Sequence, residues 1–143
     1  MSATLLGSAT LAAAPAAPST RARRIGLALT GIAVLFLAVD AIGKFVAQKE
    51  AVEGTLALGW QVHHLPILGA IQLVCLALYL VPRTAPLGAV LWTGYLGGAV
   101  ATHLRVDNPL LSHTLFPIYV AALVWGGLYL RDERVRRLLR APR

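Results

Sequence analysis

Four uncharged or nearly uncharged runs, Ile25 to Phe45, Leu65 to Val81, Leu87 to Leu104 and Leu115 to Leu130, make up most of this chain, and its cations collect at alternate ends of them. If each run crosses a membrane, the connections fall on alternate sides. One side then carries Arg21, Arg23, Arg24, Arg83, Arg131, Arg134, Arg136, Arg137, Arg140 and Arg143. The other carries only Lys44, Lys49 and Arg105 of the thirteen lysines and arginines. Loops rich in Lys and Arg stay in the cytoplasm, so both termini are expected there. The fold expected is all-α: an integral membrane four-helix bundle with antiparallel up-down topology, multi-pass in the cell membrane.

Composition agrees with that class. Hydrophobic residues make up 57% of the chain and charged residues 13%, too little charge to cover a soluble domain of this size. The net charge of +7 would suit nucleic acid if it formed one patch, but cations that flank apolar runs suit insertion and anionic headgroups instead. No nucleic-acid partner is expected; the lipid bilayer is. Spans are placed at about 25–46, 65–82, 86–104 and 114–130 inside a domain covering 21–131. The last three are short, near the lower limit of roughly 17 residues for a hydrocarbon core about 30 Å thick. Pro82 to Pro86 leaves room only for a tight antiparallel hairpin.

Residues 1–20, rich in Ala, Ser, Thr and Pro and uncharged, lack the basic start and apolar core of a secretory signal, and are expected to be a disordered cytoplasmic tail. Residues 132–143 are expected to be a basic tail on the inner leaflet. Between the first two spans, Val52, Leu56 and Trp60 share a helical face, as in an interfacial segment closed by Leu58, Gly59 and Trp60. The lone Cys75 excludes an intramolecular disulfide and Cys-x-x-Cys chemistry. It is expected to be a small packing residue.

The chemistry-bearing residues lie near one end of the spans. Asp40 is followed at i+4 by Lys44, either as a salt bridge at the helix end or as the charged floor of an outward-facing cavity. Gln72, with Cys75 and Tyr79 on its stripe, should face the interior, as an interhelical hydrogen bond or a head-group contact. His63, His64, His103 and His113 all map to the outer side, where they could gather around Asp40 and Arg105. Their spacing matches no established ligand motif, so no metal or haem site is expected. The candidate ligand-binding set is Asp40, Lys44, Gln72, His103 and Arg105; no catalytic residue stands out. Gly94, Gly98 and Thr102 form a small-residue strip expected to take a neighbouring helix, within the bundle or in a homo-oligomer. Gly126 and Gly127 are the expected receiving surface.

These features resemble the DoxX-like family of small four-span membrane proteins. The match runs through Lys44 ending the first span, the Leu58-Gly59-Trp60 element, and Ile67, Leu68 and Gly69 opening the second. It continues through the hairpin between Pro82 and Pro86 and the small-residue third span closing with His103, covering Gly26 to about Leu130. Gln72 departs from the pattern, standing where the family's glutamate is expected. The resemblance implies an accessory subunit of a membrane oxidoreductase with a quinone-like ligand and no turnover alone. The alternative is a non-enzymatic assembly aid, membrane chaperone or lipid-interacting protein.

Overall fold

The Ser19 hydroxyl accepts the Ala22 amide proton at 3.2 Å, filling one of the orphan donors that every helix start leaves. From that cap α1 runs Thr20–Phe45 in the computed structural model, which describes residues 19–139. The tail expected at 1–20 therefore lies almost wholly outside the described residues, and Thr20 already belongs to α1. Next come α2 (Lys49–Ala57), a single turn at Val62–His64, α3 (Leu65–Leu80), α4 (Ala85–Arg105), a wide turn at Leu110–Thr114, α5 (Phe116–Arg131) and α6 (Glu133–Leu139). No strand occurs among the described residues. Pro66, Pro86 and Pro117 each sit in the first turn of their helix, where the missing N–H goes unneeded and φ is already set. Gly59, at φ 78°, ends the α2 segment in the left-handed backbone region that glycine enters freely.

Among the described residues, three helical segments are long and apolar enough to cross a membrane: Thr20–Phe45, Val62–Leu80 and Leu110–Arg131. The sequence expectation was four. Ala85–Arg105 has the length, at 21 residues, but Thr93, Gly94, Tyr95, Gly97, Gly98, Thr102 and His103 dilute its apolarity. Leu35 and Val39 on α1, Ile67 and Val74 on α3 and Ile118 on α5 are all exposed, more large apolar side chains than a water-facing surface carries. This is an all-helical membrane protein.

Helix α1 packs against α3 and α5, and α4 packs against the same two; α1 and α4 face each other without a comparable contact. Ala33, Leu37, Cys75, Tyr79, Trp92, Val124 and Leu128 form the buried core. The Tyr79 hydroxyl donates to the Val124 carbonyl at 2.8 Å, tying α3 to α5. Lipid tails give helices no hydrophobic reason to associate, so close approach matters most. It is supplied by Gly26 against Gly127, Gly69 against Ala41 and Phe45, and Gly88 against Leu78 and Tyr79. Gly127 thus receives α1, through Gly26 and Thr30, not the α4 strip that the sequence suggested.

Within the stretch expected to be a basic tail, α6 forms at Glu133–Leu139. Val135 is buried, and Arg134 donates to the Pro82 carbonyl of the α3–α4 turn. Arg131 lies over the Tyr79 ring, 5.1 Å from its centroid. The Arg134 guanidinium also hydrogen-bonds Asp132 and holds that carboxyl below the usual carboxylate range. Leu138 and Leu139 remain exposed.

Candidate functional site

One turn separates Asp40 from Lys44 on α1, and the Lys44 ammonium donates to both Asp40 carboxylate oxygens. From α3, the Gln72 amide nitrogen donates to Asp40 Oδ2 at 2.6 Å. The ion pair and the interhelical hydrogen bond, read separately in the sequence, are one cluster. An isolated acid within the apolar layer would cost about 2.5–3.5 kcal/mol; two donors offset that. Gln72 is itself 1% exposed, and its buried carbonyl oxygen has no hydrogen-bond partner among the described residues.

This cluster borders a cavity of about 460 Å³, within the roughly 300–1,000 Å³ range of small-molecule sites. Its other walls are mostly apolar: Phe36 and Leu37 from α1, Leu68 from α3, Tyr95, Leu96 and Ala99 from α4, and Phe116, Pro117 and Val120 from α5. Thr55, Leu58 and Trp60 line it from the α2 segment. Phe36 and Phe116 meet edge to face, with centroids 5.4 Å apart. The cavity lies where α1 and α4 stand apart.

Gly94, Gly98 and Thr102 line the same cavity. Among the described residues, nothing beyond the adjacent backbone of α4 itself lies within 4 Å of a Cβ built on Gly94, Gly97 or Gly98, so none of the described helices packs on the strip. Thr102 turns its hydroxyl back to the Gly98 carbonyl at 2.9 Å, satisfying itself within α4. The expectation of intramolecular packing through this strip is corrected: its missing side chains make space.

Of the four histidines only His103 reaches the cavity. Its Nδ1 pairs with the Asn108 side-chain amide at 2.8 Å, and its ring centroid lies 6.1 Å from that of His113. His63 and His64 stack on each other at 4.0 Å, with Trp60 against His64. Among the described residues, no three His, Cys, Asp or Glu side chains are grouped to hold a metal ion. Arg105, included in the sequence's candidate set, does not line the cavity. Its guanidinium donates to the Leu58 carbonyl at 2.6 Å and lies against Gly59, fixing the turn that carries Trp60.

The sequence reading missed Tyr95, Phe36 and Phe116 as cavity residues. Tyr95 had a usable signal, a large side chain set among Gly94, Gly97 and Gly98. The two phenylalanines had none, since an aromatic in an apolar run reads equally as lipid-facing.

No curated protein and no solved structure matches this chain. The model of the DoxX-like family matches residues 28–127, which takes in the Asp40–Lys44–Gln72 cluster, the glycine strip and His103, and the chain belongs to the DoxX-like family.

Proposed function

We propose that the chain crosses the cell membrane four times with both termini in the cytoplasm, and acts as an accessory subunit of a quinone-linked membrane redox system without turnover of its own. The observation that carries this reading is the convergence of Asp40, Lys44, Gln72 and His103, from three helices, on one mainly apolar cavity. Lys44 can donate to a carbonyl oxygen, and an imidazole such as His103 suits proton exchange near neutral pH. Helix α4 is the fourth span in this reading. Its weaker apolarity is tolerable because Gly94, Gly98, Thr102 and His103 face the cavity while Leu87, Val90 and Leu104 face outward.

Reporter fusions test the topology. A fusion after Asn108 should report the outer side and one after Ala141 the cytoplasm, as the sorting of cations requires. A cytoplasmic signal at Asn108 would remove the four-span arrangement. For the redox role, the full chain is cross-linked in its native membrane, solubilised gently and recovered. A redox enzyme subunit in the recovered complex, quinone in its organic extract, and no electron transfer from the chain alone are expected. Steady oxidoreductase turnover by the isolated chain would overturn the accessory role, as would recovery with assembly factors only.

A further inference from the structure

We infer that the cavity is a seat for a single-chain amphiphile with an electrically neutral, oxygen-bearing head, held at Asp40, Lys44 and Gln72 with its chain along Gly94 and Gly98. The inference deepens the proposed function and rests on it for the cavity being the ligand site. It names the chemical class of ligand, and it recasts the glycine strip as a ligand surface.

Two independent observations point to a ligand. The first is Gln72, 1% exposed and bordering the cavity, with a carbonyl oxygen that finds no partner among the described residues. A buried acceptor left unpaired costs about 1–3 kcal/mol, and a ligand hydroxyl would satisfy it. The second is the strip itself, where no atom comes within 4 Å of a Cβ built on Gly94 or Gly98. Close helix approach explains Gly26, Gly69, Gly88 and Gly127 but cannot explain these two. A chain lying against bare α4 backbone does.

The head must be neutral because its binding surface is. Asp40 and Lys44 cancel each other through their direct ion pair. A carboxylate or ammonium head beside them would enter a mainly apolar cavity with its own charge uncompensated. A neutral head can accept from the Lys44 ammonium and donate to Gln72. Quinols and uncharged lipid alcohols share this chemistry, so the experiment has to separate them.

The full chain, purified in maltoside detergent, is mixed with probes that share a decyl chain and differ in head: a decyl-substituted hydroquinone, decanol, decanoate and decylammonium. Bound probe is read by native mass spectrometry. At least one neutral probe should be retained over both ions by about tenfold or more, the scale of one well-made interaction. Retention of the hydroquinone over decanol joins this seat to the redox reading. Equal or better retention of decanol keeps the seat and removes that reading's ligand. Asp40→Asn should turn the preference toward decanoate, and Lys44→Gln toward decylammonium.

Gly98→Leu tests the chain seat, and the open space around Gly98 lets this variant fold even if the charge variants do not. Neutral-probe retention should fall about tenfold with helix content and melting unchanged. A parent protein that prefers either ion, or a folded Gly98→Leu that retains the neutral probe undiminished, overturns the inference.

Discussion

Gly88→Ala is expected to destabilise the chain by about 2 kcal/mol or more, while Gly98→Ala, the same change on the same helix, leaves it as stable or up to about 1 kcal/mol more so. In an isolated helix both substitutions help, because alanine loses less backbone freedom than glycine. Tertiary contact reverses the sign at one of them. A Cβ on Gly88 would sit 2.6 Å from the Tyr79 Cα and 2.9 Å from the Leu78 carbonyl carbon, both backbone atoms that cannot swing aside. α3 and α4 would have to part, disturbing the buried Tyr79 and its bond to Val124. At Gly98 the new methyl meets nothing within 4 Å. Unfolding of both variants in mixed micelles, followed by helical circular dichroism, checks the pair. Equal stability of the two variants would mean that α3 and α4 do not approach at Gly88.

That contrast also shows where sequence reading stops. Gly88 and Gly98 look alike in the chain, and the Gly94–Gly98 spacing makes the second more eye-catching. Spacing reports that a small face exists; only the partner across it decides whether a helix or a cavity lies there. The helices themselves were legible, since prolines at 66, 86 and 117 and the cation clusters mark their ends within a few residues. The Gln72–Cys75–Tyr79 stripe was legible too, and all three are buried. Most of the candidate cluster followed from single residues out of place in an apolar run, as Asp40, Lys44 and Gln72 are. What the sequence could not carry was distance between elements thirty or more positions apart. Arg105 shares its side of the molecule with the cluster, yet its reach goes to the Leu58 carbonyl. Val135 shows the same limit, since nothing in a basic C-terminal stretch announces that one valine will dock.

For the ion pair, either single variant, Asp40→Asn or Lys44→Met, should cost about 2–3 kcal/mol, and the double variant clearly less than the worse single one. Each single change leaves one charge in a poorly solvated slot, whereas the double change removes both. Lys44 has less room to escape than its place near the end of α1 suggests, because its side chain is only 18% exposed against 35% for Asp40. Gln72 makes the cycle asymmetric. With Lys44 gone, Asp40 still accepts from the Gln72 amide at 2.6 Å, so Gln72→Leu added to Lys44→Met should cost more than the sum of the two alone. Added to the double variant it should cost little further, since an uncharged side chain at position 40 has far less need of a donor. The reversible unfolding free energy of each variant in the same micelles is the measurement. A double variant as damaged as the worse single one would mean that Asp40 or Lys44 is held by a partner beyond this cluster, and the neutrality that sets the cavity's choice of head group would no longer rest on their pairing.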